Sequence, residues 1–227
     1  MRPQVKQGVA SLYEKKWSVI MKKTKIKICG LTSVKEAEFL NKHQVDFAGF
    51  VLFYPKSKRN LTIEQAKEIV SALKGSIQPV AVVVSPTIEQ AKEIEKAGFS
   101  YIQIHKDVPQ GFYEQCSIPE LKAFNVNDVE GFEEYHKNPA IAGYVFDAVE
   151  PGSGKVFDWK LVKNIPRDEK LFLLAGGLCS ENVSEAISYI KPDGVDVSSG
   201  VEYDDSQGKE TGKDPERIAA FVKAVRS

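Results

Sequence analysis

Two residues capable of proton transfer stand where short apolar runs end. Cys29 closes KIKIC (25–29) and is followed at once by Gly30-Leu31-Thr32; Asp147 follows Tyr144-Val145-Phe146. A thiol titrates near pH ~8.5 and becomes a nucleophile or general base once positive charge or backbone N–H groups lower that value. Lys27 shares strand parity with Cys29, so both side chains point to one side. A carboxyl at a cavity mouth is raised by partial desolvation and then serves as a general acid. The plain alternatives are a buried structural cysteine at 29 and an aspartate at 147 that caps a turn or pairs with a lysine. Cys116 and Cys179 read as structural, one late in a helical segment and the other in a loop.

Anion-binding chemistry is concentrated elsewhere. Arg59 lies in FYPKSKRNLT (53–62) beside Lys56 and Lys58, and its planar fork suits a carboxylate. A solvated basic loop is the competing reading. LLAGGLCSENV (173–183) carries Gly176 and Gly177, and VDVSSGVE (195–202) carries Ser198, Ser199 and Gly200. Glycines at strand ends let backbone N–H groups approach a ligand closely, and a helix starting near Ser180 or Glu181 would add its N-terminus. Two consecutive clusters of this kind favour a phosphate seat over two tight turns. His105 either orients a loop by hydrogen bonding or supplies structural polarity. Asp196 shares parity with Ser198 and is expected to organise the same mouth. GKETGKD (208–214) resembles a P-loop only superficially, because it does not follow a strand and lacks GxxxxGK[ST].

These residues need elements to position them, and from residue 25 onward one phrase repeats. Strand candidates are 25–29, 47–53, 79–84, 101–105, 120–124, 142–148, 171–176 and 194–199, starting about every 24 residues, which leaves room for one helix and two short connections each. Ser33 with Glu36, Thr62 with Gln65 and Thr87 with Gln90 fit the capping box. Asp214-Pro215 reads as an N-cap with proline in the first turn, and Gly75 and Gly98 as helix stops. Apolar stripes predict helices over 64–74 and 215–226. Strands separated by helices are parallel, and right-handed crossovers put the helices outside. Eight such units predict an α/β protein, a closed (β/α)8 TIM barrel rather than an open doubly wound sheet, with the active site where strands end and βα loops begin. The expected organisation is an N-terminal extension over 1–22 and a barrel domain over 23–227. The extension reads as a flexible leader, a short docked helix or a binding arm, with Leu12, Trp17 and Ile20 as its docking face.

Composition narrows the class further. The chain has 227 residues, 42% of them hydrophobic, and 31 basic residues balance 31 acidic ones. A zero net charge argues against a nucleic-acid partner held by an overall basic field. Three cysteines make no disulfide framework, and three histidines, at 43, 105 and 136, make no zinc-ligand spacing. No apolar run approaches membrane-spanning length, and the N-terminus lacks a signal peptide's apolar stretch. A cytoplasmic location without a membrane partner is the expectation; monomer and homodimer both stay open.

The chain resembles the phosphoribosylanthranilate isomerase family. The phrases that carry the likeness are KIKICGLT (25–32), AGFVLFYPKSKR (48–59), QIH (103–105), GSGKVFDW (152–159), LAGGLCSENV (174–183), GVDVSSGVE (194–202) and KDPERIAAFVKAV (213–225). The resemblance implies a metal-free and cofactor-free Amadori rearrangement in tryptophan biosynthesis, acting on a small phosphosugar. Cys29 would be its general base, Asp147 its general acid, and Arg59 the clamp for the anthranilate carboxylate. Two departures from the family pattern stand out. His105 is followed by Lys106 where the family commonly has glycine, which predicts a reshaped loop. The 50–59 segment is one residue longer than usual, which predicts a bulge or a shifted strand end. Another sugar-phosphate isomerase or epimerase on the same barrel is the main rival, which Arg59 disfavours; a non-catalytic scaffold is the other, disfavoured by the intact acid–base pair.

Overall fold

A computed structural model describes residues 23–125, 132–147, 158–204 and 211–227. The extension, its residues Leu12, Trp17 and Ile20, most of GSGKVFDW and part of GKETGKD lie outside the described residues. Among those described, eight parallel strands close on themselves: β1 (Lys25–Cys29), β2 (Phe47–Leu52), β3 (Gln78–Val83), β4 (Tyr101–Ile104), β5 (Glu120–Asn125), β6 (Ile141–Asp147), β7 (Leu171–Leu174) and β8 (Gly194–Val197). Each pairs with the next in chain order, and β1 pairs with both β2 and β8, which shuts the barrel.

Helices alternate with the strands: α1 (Val34–Asn41), α2 (Ile63–Ala72), α3 (Ile88–Lys96), α4 (Phe112–Gln115), α5 (Phe132–His136), α6 (Lys160–Lys163), α7 (Val183–Ile190) and α8 (Pro215–Arg226). The three expected capping boxes form in full at α1, α2 and α3, and Asp214 accepts from two backbone N–H groups at α8. Each satisfies amide protons orphaned at a helix start and contributes about 1 kcal/mol. Strand alternation sorts the apolar side chains into two layers. Phe47, Val80, Val82, Leu121, Ala123, Val145, Leu173 and Ala175 fill the barrel interior. The alternate residues, such as Ile26, Ile28, Phe50 and Ile102, pack outward against the helices.

Local differences from the sequence expectation have physical causes. β2 ends at Leu52, one residue early, and Phe53 takes a left-handed backbone (φ 55°). The β2–β3 register runs unbroken from Phe47↔Gln78 to Val51↔Val82, so the extra residue is absorbed at the strand end and makes no bulge. A non-glycine residue there costs about 1–2 kcal/mol, offset by packing Phe53 onto the outer core. Lys106 needs no left-handed conformation; its carbonyl accepts from Lys122 Nζ at 2.6 Å, which holds the loop after β4. α7 begins at Val183 rather than at Ser180 or Glu181, because the Asn182 side chain first ties down the preceding loop. No helix among the described residues is long and apolar enough to cross a membrane.

Candidate active site

β1 delivers the thiol. Alternation turns Lys27 and Cys29 into the barrel, where Lys27 is fully buried and donates to Asp196 Oδ2 at 2.8 Å. Its ammonium also interacts with the Cys29 thiol. Burial alone would lower the Lys27 pKa; the charges of Asp196 and Cys29 outweigh it and hold the ammonium above the ordinary lysine value. Burial pushes the Cys29 thiol up, and Lys27 offsets this only in part. The thiol faces Gly49 of β2, where a Cβ would stand 2.8 Å from Sγ. A side chain at 49 would displace the sulfur.

Arg59 is seated against the residue after the thiol. A Cβ on Gly30 would lie 2.4 Å from Arg59 Cδ, so only glycine lets the arginine stem cross there. Its guanidinium makes a bidentate pair with Glu202, Nε to Oε1 at 2.5 Å and Nη2 to Oε2 at 2.9 Å. Glu202 also accepts from Lys213 Nζ at 2.8 Å. Burial alone would raise the Glu202 carboxyl, but hydrogen bonds and charge from Arg59 and Lys213 hold it at about 2. Lys213 is buried as well, and burial drives its pKa below the ordinary lysine value. Its Nζ lies 3.1 Å from the Ser198 carbonyl, and Ser198 Oγ donates to the Cys29 carbonyl at 2.9 Å. Arginine loop, thiol strand and serine loop are thus cross-tied.

Asp147 ends β6 beside Asn125, its register partner on β5. His105 follows β4, its Nε2 3.1 Å from Gln103 Nε2. Burial and the nearby ammonium groups of Lys27 and Lys122 press the imidazole down to about 4, so it is neutral at physiological pH. Gln103 Oε1 and Asp196 Oδ1 are buried acceptors without a hydrogen-bond partner among the described residues. Both residues line the cavity, and unmet acceptors there suit ligand hydroxyl groups.

The glycine-rich loops lie side by side. Gly176 and Gly177 both have positive φ, 85° and 63°, which exposes consecutive backbone N–H groups in a way that L side chains resist. Asn182 braces this loop, accepting from Cys179 N and donating to the Gly177 carbonyl. The neighbouring loop turns through a 3-10 helix over Ser199–Val201. A Cβ on Gly200 would fall 2.0 Å from the Leu178 carbonyl oxygen, so Gly200 lets the two loops pack backbone to backbone.

A cavity of about 310 Å³ at the C-terminal mouth gathers these groups. Cys29, Arg59, His105, Asp147, Gly176, Gly177, Asp196, Ser198 and Ser199 all line it. Lys27 sits beneath its floor, and Gly200 stands behind its wall. Asn125, Gln103 and Lys106 also line it, and Glu202 with Lys213 supports it, roles that the sequence reading did not assign. Asn125 was within reach: it shares strand parity with the inward-facing Leu121 and Ala123, whereas Phe124 faces the helices.

Comparison with known proteins bears on what this cavity handles. The family model described as N-(5'phosphoribosyl)anthranilate (PRA) isomerase matches residues 26–224. An N-(5'-phosphoribosyl)anthranilate isomerase of Aquifex aeolicus is 38% identical over 89% of this chain and 98% of its own. The crystal structure of the phosphoribosyl anthranilate isomerase from Thermus thermophilus superposes with a TM-score of 0.75 at 25% identity, over 89% of this chain and 98% of that one. A further phosphoribosyl anthranilate isomerase, solved in complex with reduced 1-(o-carboxyphenylamino)-1-deoxyribulose 5-phosphate, superposes with a TM-score of 0.71 at 31% identity, with the same coverage.

Proposed function

Because this chain belongs to the N-(5'-phosphoribosyl)anthranilate isomerase family, we propose that the mouth cavity is where it performs the Amadori rearrangement, with Asp147 as acid and Cys29 as base. The enzyme is an aldose–ketose isomerase. It converts N-(5-phosphoribosyl)anthranilate to 1-(2-carboxyphenylamino)-1-deoxyribulose 5-phosphate. Asp147 donates its proton to the furanose ring oxygen as the C1′–O bond breaks and the nitrogen lone pair forms a C1′=N double bond. The resulting cationic imine acidifies the C2′ proton. Cys29, as thiolate, removes that proton, and the electron pair moves into C1′=C2′ while nitrogen becomes neutral. The enolamine then tautomerises, C1′ gaining a proton and C2′ becoming the ketone.

Substrate ends that do not react hold the reacting centre in place. In this reading the loops of Gly176, Gly177, Ser198, Ser199 and Gly200 take the phosphate, and Arg59 takes the carboxylate. Lys27 favours the thiolate, Asp196 keeps Lys27 in place, and a neutral His105 lines the sugar subsite. Residues 23–227 form the catalytic unit, with 1–22 as a preceding extension. A cytoplasmic location belongs to the same proposal and is supported by three free thiols, at Cys29, Cys116 and Cys179.

The observation that carries this reading is convergence: thiol, carboxyl, guanidinium and both glycine loops line one cavity. The test is a fluorescence assay in which phosphoribosylanthranilate is generated in situ and its disappearance is followed. Cys29→Ser and Asp147→Asn should each lower kcat by about 10³-fold or more while remaining folded. Turnover by either variant within about tenfold of wild type would remove that residue from the chemistry.

A further inference from the structure

The segment 211–214 returns to the barrel mouth after β8 and places one charge deep beneath it. Lys213 is only 1% exposed. Its backbone N–H donates to Glu36 Oε1 at 2.7 Å, and its Nζ lies 2.8 Å from Glu202 Oε1. Glu202 in turn grips Arg59 bidentately. A guanidinium paired with a carboxylate alone has no net charge with which to attract a second carboxylate. A buried lysine that shares Oε1 with Arg59 Nε changes that sum. Two of the five guanidinium N–H groups go to Glu202, and that bidentate contact fixes the orientation of the fork.

We propose that Glu202 and Lys213 are positioning residues for substrate carboxylate recognition: Glu202 aims Arg59, and Lys213 cancels the charge of Glu202 so that the Arg59–Glu202–Lys213 cluster stays cationic. This rests on the reading of Arg59 as the carboxylate clamp. Lys58, 3.4 Å from Glu202, adds little, because at 59% exposure its charge is screened by solvent. A purely structural salt bridge would affect all substrates alike. A charge-setting pair acts on the carboxylate alone and is sensitive to which partner is removed.

The test uses the full chain and two substrates, phosphoribosylanthranilate and phosphoribosylaniline, which lacks the carboxylate. Lys213→Met should raise KM for the anthranilate substrate about tenfold more than for the aniline substrate, because losing the Nζ contact to the Ser198 carbonyl falls on both alike. Removing the opposing charge as well, in Glu202→Gln/Lys213→Met, should bring KM back to within about threefold to fivefold of wild type. Lys213→Arg, which keeps the charge, should bind the anthranilate substrate as wild type does and keeps the test open if Lys213→Met does not fold. Equal losses for both substrates, or a double variant weaker than Lys213→Met, would overturn the proposal. Failure of the clamp reading is distinguishable: Arg59→Met would then weaken both substrates equally.

Discussion

As the proposed base, Cys29 has to lose its proton in surroundings that oppose the loss. Burial raises the thiol and Lys27 pulls it only part of the way back, so the resting enzyme holds a thiol rather than a thiolate at neutral pH. If the thiolate is the base, kcat/KM climbs with pH and levels off only above the ordinary thiol value of about 8.5. A pH–rate profile checks this, and a plateau already reached at about pH 7 contradicts it. Lys27→Gln should displace the rising limb to higher pH. His105, pressed down to about 4, should show no imidazole titration by NMR near its ordinary value of 6.5. That Cys29, Asp147 and Arg59 belong to one cavity was legible because each stands at a strand end or in the loop just after one. Glu202 and Lys213 were not, since their partners come from loops that only the closed barrel brings together. Asn125 was missed through a strand boundary one residue short, and one residue reverses which face a side chain occupies.

Loops after β7 and β8 work as one element because their backbones touch at Gly200 and Leu178. Gly200→Ala would force them apart, and the expected result is a KM raised about tenfold, with matching loss of competitive inhibition by inorganic phosphate. A variant with unchanged phosphate inhibition would show that the two loops do not share a ligand. Glu36 joins two other pieces: it accepts from the backbone N–H groups of Thr32 and Ser33 and from that of Lys213. Glu36→Ala leaves three donors unmet and should cost about 2–4 kcal/mol, read as a lower unfolding midpoint in urea. Helices with capping boxes were plain from sequence, because the box is a local pattern that the cap itself satisfies. α4, α5 and α6 are only four or five residues long, too short to impose an apolar period. The residue inserted after β2 was visible in the sequence. Its accommodation was not, because a left-handed Phe53 depends on the outer core being there to receive the ring.

Across the whole molecule, polar groups between barrel and helices couple stability to pH. Glu120 is 1% exposed; its Oε2 accepts from Tyr113 at 2.9 Å and its Oε1 has no partner among the described residues. Burial raises its carboxyl to about 7 from 4.5, against the pull of Tyr113 and Lys122. The folded state therefore holds this proton more tightly than the unfolded chain. Its contribution is complete below about pH 4.5 and is lost as pH rises through about 7. Glu120→Gln should match wild type near pH 4.5 and exceed it above pH 7 by on the order of 3 kcal/mol, measured by urea denaturation at both pH values. The barrel itself was readable because its units recur at an even spacing, each with its own start and stop signals.

Closure gives β1 a second meaning. The strand that carries Cys29 pairs with the last strand of the barrel, and both the Lys27–Asp196 and the Ser198–Cys29 contacts join residues 169 positions apart. During synthesis β1 leaves the ribosome first and β8 last among the strands, so Lys27 and Cys29 wait for Asp196 until the eighth strand has emerged. A chain stopped before Gly194 would contain Cys29, Asp147 and Arg59, yet present Lys27 without its carboxylate and β1 with an open edge. Such a truncated chain should show no turnover, whereas activity appears when β8 and α8 are added back. Catalysis in this molecule is thus a signal that the whole barrel has been made.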